Sequence, residues 1–531
     1  MSVVVAARSR ALCAGLTAVF VVALATTAQA APWPVFGGSE GRSSFALFER
    51  ATPPLSTAWA ATAAADQGVW TSPIVTQGAR PIVAYGTEKP SWISGPTSRG
   101  NVHLRDLATG AAIGPVAGID VDTGTGDKDT FGSGNKASVS FVDTSTPGGE
   151  PGQLFVVHND ESSAGDVAIA QIDLATGTLV KEVAVPNTPH FAPGGATGSG
   201  QNGSDVSGSP LVRLDSAGNG VLVFRVGLPI YNSSKTVIGK IEKVHVVPLG
   251  NARSAAAVID TAAQRVTPDF QATTRMSPTL VTLADPSNGG QPTTYVAMGT
   301  SKPSTSSEEV RTYRLSDMAA GPRSAVLSGD VHTVSVPLTP SGVPAGAPGS
   351  GVATAPYMVV ATITSYIYKL VQSGDRLVIA NTKKVSGSAA PALAVTGQVG
   401  PGAPTGGHVV VTTGANVRVL SAATLASVAQ FSPTSLTKGC APCSSPPTDA
   451  NTGFSITTPV VAGNTIYVAR DNGTQLALSL TTAQALPAAQ FTQNPLNAGS
   501  TFVRGQPAVA HGHVVFASVK GVFAYRMTPA P

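Results

Sequence analysis

The 531-residue chain carries 33 Lys and Arg against 29 Asp and Glu, and only 12% of its residues are charged. No Lys/Arg cluster reaches the density of a nucleic-acid footprint, so a DNA- or RNA-binding role is set aside. Gly and Pro together number 98, about 18% and below the ~25–30% of disordered chains, while long stretches rich in Glu, Lys and Leu are missing; the composition asks for many short strands and turns.

Residues 1–30 read as a signal peptide. Arg8 and Arg10 form a basic start, Ala11 to Ala25 an apolar run, and Ala28-Gln29-Ala30 a small-x-small cleavage site. The run is short for a spanning helix, which needs ~20 apolar residues. Export of a secreted or periplasmic protein, with no membrane span after processing, is expected. The remaining 501 residues, 31–531, are read as one domain.

A short pattern then recurs: a small or polar residue, Pro, and an apolar β-rich run. It reads Ser72-Pro73-Ile74-Val75, Ser209-Pro210-Leu211-Val212, Ser277-Pro278-Thr279-Leu280, Ala355-Pro356-Tyr357-Met358, Ala390-Pro391-Ala392-Leu393, Thr458-Pro459-Val460-Val461 and Gln506-Pro507-Ala508-Val509. A copy without Pro spans Ala137 to Val142. Proline is tolerated at the first residue of a strand. A turn and a second strand follow, as in Val460–Ala469 around Ala462-Gly463-Asn464. Two third strands end in the same pentapeptide, Asp106-Leu107-Ala108-Thr109-Gly110 and Asp173-Leu174-Ala175-Thr176-Gly177, and Thr178 to Val185 reads as a fourth strand. Repeated units of this kind predict an all-β fold: a single eight-bladed β-propeller of four-stranded antiparallel blades, with seven blades as the alternative count. Two or three β-sandwich domains would not repeat one strand-opening motif along the whole chain. The last unit supplies only three strands after Pro507. The orphan strand Ser56 to Ala61 is expected to complete it, closing the ring with N- and C-terminal strands and seating Trp59 between the first and last blades.

The opening Trp33-Pro34-Val35-Phe36-Gly37-Gly38 with Arg42, and the Asp-x-x-Thr-Gly strands, resemble the quinoprotein-like (PQQ-type) propeller superfamily. That resemblance implies eight four-stranded blades. In its enzymes a Trp follows the Thr-Gly by four residues and docks between blades; here those positions are Gly114 and Lys181. Its dehydrogenases often carry adjacent cysteines or a Cys-x-x-Cys-His haem motif, and this chain has neither.

Cys440 and Cys443 are the only cysteines after residue 30, and residue 444 is Ser rather than His. A small disulfide ring is the expectation, given the exported context. Asp120, Asp122, Asp127 and Asp129 place four carboxylates around glycine turns, a candidate calcium loop set against the plain reading of a solvated acidic loop. Asn159-Asp160-Glu161 with Asp166 is a second, smaller acidic group. The eight histidines are scattered and read as turn and surface residues. There is no Gly-x-Ser-x-Gly elbow.

The expected function is an exported, non-catalytic, monomeric propeller that binds an extracellular protein, a cell-wall polymer or a small molecule through its loop-rich face. The alternative is a PQQ-dependent dehydrogenase of alcohols, sugars or polyols. The processing and thiol readings meet in one measurement. Intact mass of the exported protein should start at Ala31, and alkylation without reductant should leave Cys440 and Cys443 unmodified. A mass retaining Met1 to Ala30, or two alkylated thiols, contradicts them.

Overall fold

The computed structural model describes residues 38, 44–46, 49, 55–63, 68–69, 71–88, 101–117, 141–160, 166–186, 205–206, 208–231, 237–271, 276–301, 308–345, 347, 350–386, 391–400, 406–414, 416–431, 458–469, 475–480, 506–518 and 521–527. The chain divides into two units, Met1–Ala30, which lies outside the described residues, and Ala31–Pro531. The second unit is an eight-bladed β-propeller.

Blade one is built from Ile74–Val75, Ile82–Glu88, Asn101–Asp106 and Ala112–Ala117, and blade two from Phe141–Asp143, Gln153–Asp160, Asp166–Asp173 and Thr178–Val185. Blade three has Leu211–Leu214, the long strands Gly220–Tyr231 and Val237–Gly250, and the short outer pieces Val258–Ile259 and Arg265–Val266. Blade four has Thr279–Asp285, Gln291–Ser301 and Glu308–Arg314; Arg323–Ser324 pairs parallel with Arg376 and Leu377 on the outer edge of blade five and is tied back to blade four by Val310 N donating to Ser324 Oγ. Blade five is Val331–Ser335, Met358–Thr362, Tyr366–Ser373 and Arg376–Lys384; blade six is Ala392–Val395, His408–Thr413, Asn416–Ser421 and Ser427–Phe431. Phe270–Gln271 bridges blades three and four into one continuous sheet by pairing with Ile241–Glu242 and Ser301.

First strands lie innermost. They are mostly apolar and mostly buried, and neighbours reach one another: Thr279 Oγ donates to the Val334 carbonyl of the next blade. Fourth strands form the perimeter, where Leu179, Val180, Val378, Ile379 and Val428 are exposed. First strands begin at what we call the upper end of the ring, so connections from second to third strands and from blade to blade also lie there.

One unit is positioned differently from the sequence expectation. Ala355-Pro356 opens the second strand of blade five, not its first, which begins at Val331 without a preceding proline. The proline motif marks a strand start, and any strand with a free first N–H position can use it.

Closure is by the chain ends. Leu55–Thr62 pairs antiparallel with Gly521–Met527 and completes blade eight beside His513–Ser518 and Ala508–Ala510. A second N-terminal piece was not foreseen. Phe45–Ala46 pairs parallel with Val460–Ala462, the first strand of blade seven, whose other edge carries Thr465–Ala469 and then Gln475–Ser479. It therefore runs along the edge that faces the ring axis. At its upper end Ser44 Oγ accepts from Gln506 Nε2 at 2.8 Å. At its lower end the Glu49 carboxylate accepts from His511 N at 2.6 Å and Gly512 N at 2.9 Å, the first turn of blade eight. Burial pushes the Glu49 carboxyl above its ordinary range, against the opposing pull of those two N–H groups.

The outer strands share a device. In blades one, two, five, six and eight the register slips by one residue, leaving Ile113, Val180, Ala380, Val428 and Ala58 as bulges. A bulge twists an edge strand and blunts it against edge-to-edge pairing. It also re-aims the next side chain, and in three blades that residue meets the turn of the following blade. Gly114 lies so close to Gly177 that a Cβ there would sit 2.9 Å from its carbonyl oxygen. Lys181 Nζ donates to the Ala257 carbonyl. Trp59 Nε1 donates to the Leu107 carbonyl at 2.6 Å. Gly114 and Lys181 thus occupy the docking position named above, and blade eight fills the same position with Trp59.

Trp59 is 8% exposed and packs with Val69, Val83, Tyr85 and Leu107 of the first blade and Val522 and Phe523 of the last. Gly110 makes this possible. Its φ is +72° and a Cβ would lie 2.6 Å from Trp59 Cγ. Replacing Trp59 by Ala should destabilise the protein by about 3–5 kcal/mol, read from denaturant unfolding, and deleting 34–63 should abolish cooperative melting. An unchanged transition in either variant contradicts closure of the ring by this strand.

Candidate functional site

The upper end is stitched where first strands begin. Ser209 N donates to Ser277 Oγ at 2.8 Å, joining blades three and four. Gln506 N donates to Ser72 Oγ at 2.8 Å, joining blades eight and one. The Ser and Gln of the repeated motif are thus inter-blade hydrogen-bonding groups as well as strand openers.

Buried charge at this end gathers in blades three to five. Arg225, in the second strand of blade three, and Glu242, in its third, form an ion pair of 2.8 Å with both side chains 0% exposed. Arg225 also donates to the Met276 carbonyl at 2.9 Å, just ahead of the Ser277-Pro278 opening of blade four, and its guanidinium lies 5.5 Å from the centre of the Phe270 ring. Gly227 leaves room for the pair, since a Cβ would come within 2.8 Å of Glu242 Oε1. Glu308, buried at the start of the third strand of blade four, accepts from Val331 N of blade five at 2.6 Å. Asp330 and His332 flank that N–H and are buried too. Asp330 Oδ1 has no hydrogen-bond donor among the described residues.

Sequence reading missed these residues. Their signal is a charge inside an apolar strand, as in Val223-Phe224-Arg225-Val226 and Ile241-Glu242-Lys243-Val244. Such a residue faces solvent on an exposed strand but must be paired in a blade covered on both faces. The reading of the histidines also needs correcting. His158, His245 and His332 are buried in strands, because a neutral ring fills an inter-blade gap as well as a hydrophobe does. His245 stacks on Phe224 with ring centres 5.4 Å apart and hydrogen-bonds Gln264 at 2.9 Å. His103, half-buried, stacks on Tyr85 and meets Thr87 Oγ at 2.7 Å. His511 does lie in a hairpin turn, with φ +51°.

The sequence candidates Asp120, Asp122, Asp127 and Asp129, and the pair Cys440 and Cys443, lie outside the described residues. Asp160 and Asp166 are cross-strand partners at the upper end of blade two. Among the described residues no three His, Cys, Asp or Glu side chains group as metal ligands, and no helix is long and apolar enough to cross a membrane.

No family model and no curated protein matches the chain. Solved structures do. A quinohemoprotein alcohol dehydrogenase of Pseudomonas putida HK5 superposes with a TM-score of 0.51 at 11% identity, over 94% of this chain and 82% of that one. A europium-containing methanol dehydrogenase gives 0.48 at 12% identity, over 94% and 92%. BamB from Moraxella catarrhalis gives 0.38 at 11% identity, over 90% and 98%. At such identities the likeness bears on the fold alone, and it is the first of these superpositions that carries it: a propeller of the PQQ-like kind.

The buried groups set a pH dependence. Burial, the main cause in each case, lowers His103, His245 and His332 to about 4 from 6.5. Bases held neutral contribute stability above their unfolded pKa, and that contribution is lost as pH falls from 6.5 toward 4. Asp143 has the opposite sign. Buried and accepting from Gln77 N and Ser145 N, it is raised to about 6 from 3.8, so its contribution is lost as pH rises through that window. The three bases outweigh the raised carboxyls Asp143 and Glu49, so the melting temperature should fall between about pH 7 and about pH 4.5. His245→Phe should shrink the fall by roughly a third. A melting temperature that holds or rises on acidification contradicts the buried neutral histidines.

Proposed function

We propose that the protein is an exported, non-catalytic propeller that binds its ligand through the upper, loop-rich face. The observation that carries this reading is the use made of the polar groups there. Glu242 is committed to Arg225, and Glu308 to the Val331 N–H. Ser72, Ser277 and Gln506 are committed to neighbouring blades. Side chains engaged in this way position a surface and hold it rigid, as a binding scaffold requires. The lower end, by contrast, turns tightly at Gly463-Asn464 and His511-Gly512.

The alternative is quinone-dependent oxidation of an alcohol, sugar or polyol, favoured by the fold of the Pseudomonas dehydrogenase. PQQ chemistry in such an enzyme needs a calcium-binding carboxylate and a catalytic one. The described carboxylates at the upper end of blades three and four do not fit that need, being buried and engaged in seams. Calcium at Asp120, Asp122, Asp127 and Asp129 remains compatible with either reading.

Two measurements on the full exported chain separate them. A thermal-shift panel of envelope polymers and small metabolites should yield a ligand that raises the melting temperature. Reconstitution with PQQ and Ca²⁺ should give no dye reduction with alcohols, sugars or polyols. Turnover with any of them sinks the non-catalytic reading.

A further inference from the structure

Charge is divided along the ring. Residues 31–330, which hold blades one to four, carry 21 Lys and Arg and 26 Asp and Glu, a net −5. Residues 331–531 carry ten and three, a net +7. The outer strand Leu55–Thr62 and the axial piece Phe45–Ala46, which join blades eight and seven from the other end of the chain, are uncharged. Between Arg376 and Pro447 there is no carboxylate at all.

Three of the cations lie along the upper rim of blades five and six. Lys383 and Lys384 end the outer strand of blade five, which runs to that end of the ring. Arg418, in the third strand of blade six, donates through Nη2 to Ser386 Oγ, two residues beyond Lys384. The Lys384 ammonium stands 5.3 Å from the centre of the Tyr366 ring. None of the three forms an ion pair among the described residues. Asp375, the described carboxylate of this half, is at the far end of the same outer strand. Six of the described carboxylates of the acidic half are in ion pairs. Asp106 is paired with Arg80, Glu242 with Arg225, Asp269 with Lys243, Glu309 with Arg311, and Asp285 and Asp317 with Arg314.

From this asymmetry we propose that the upper rim of blades five and six docks a carboxylate-bearing polysaccharide. The inference rests on the binding role proposed above and names its ligand class. Unpaired cations spread along the rim of two blades suit a polymer with repeated charge, whereas a small anion would need converging donors in a pocket. Nucleic acid asks for a denser basic track with free aromatic faces, and here the Tyr366 ring is taken by Lys384 and by Tyr368, with ring centres 5.9 Å apart.

The test uses the full exported chain and immobilised polygalacturonate, with neutral dextran and a short DNA duplex as comparators. Binding should be confined to polygalacturonate among the two glycans. It should weaken about tenfold between about 50 and about 300 mM NaCl. Lys383→Glu with Lys384→Glu should weaken it by about tenfold again, with an unchanged melting temperature, while Lys243→Glu in the acidic half stays within about twofold. Equal retention on dextran, equal loss in Lys243→Glu, or tighter binding to the duplex overturns the proposal. So does low-salt self-association that the double variant abolishes. If polygalacturonate fails while another envelope ligand still raises the melting temperature, this inference falls and the binding role stands.

Discussion

A single pairing between the two ends of the chain holds the ring: Leu55–Thr62 against Gly521–Met527. Each blade buries both faces on its neighbours, so the apolar surface of first strands such as Val460–Ala462 and Ala508–Ala510 is covered only while every seam is closed. Without the N-terminal strand, blade eight would present three strands and a bare edge. The axial piece adds a second clamp, because Ser44 and Glu49 grip the start and the first turn of blade eight from the inside. Chain ends are ordinarily the loosest parts of a domain; in this protein they are its fastener.

The seams share a common chemistry. A donor on one blade reaches a backbone carbonyl in the turn of the next: Trp59 to Leu107, Gln171 to Ser254, Lys181 to Ala257, Lys369 to Ala422. Backbone acceptors are present whatever side chain stands there, so the turns can vary while the stitch persists. For Trp59, Lys181 and the close fit at Gly114 the outer bulge supplies the direction, whereas Gln171 and Lys369 reach across from third strands. Blades three to five add charge to this scheme through Arg225, Glu242 and Glu308. A buried pair of that kind gives little net stability but strongly penalises any arrangement that leaves one partner alone. It therefore fixes how the long hairpin of blade three meets blade four.

Much of the fold was legible because blades repeat. The Pro-led strand openings, the Asp-Leu-Ala-Thr-Gly turns and the orphan strand at Ser56 gave eight blades and their closure. The failures have physical causes. Ala355-Pro356 marks a second strand because proline reports a strand start and not its rank. The docking Trp looked absent because blade eight is split between the termini, which hides the equivalence of Trp59 with Gly114 and Lys181. Arg225 and Glu242 do not stand out in the sequence because burial on both faces of a blade is a tertiary property. The acidic cluster at Asp120 and the pair Cys440 and Cys443 fall outside the repeated motif, which therefore offers no guide to them, and outside the described residues.

The path of the N-terminal segment has a kinetic consequence. The closing ladder joins residues 62 and 521, so it cannot form until almost the entire chain is available. Closing a loop of that length costs about 5 kcal/mol in chain entropy, and such long-range pairing folds slowly. For that interval the polypeptide is an arc with one sticky edge at Gly521–Met527 and an unoccupied groove beside Val460–Ala462. Both are completed by the one segment from Phe45 to Thr62, so the molecule passes from arc to ring in one late, concerted step.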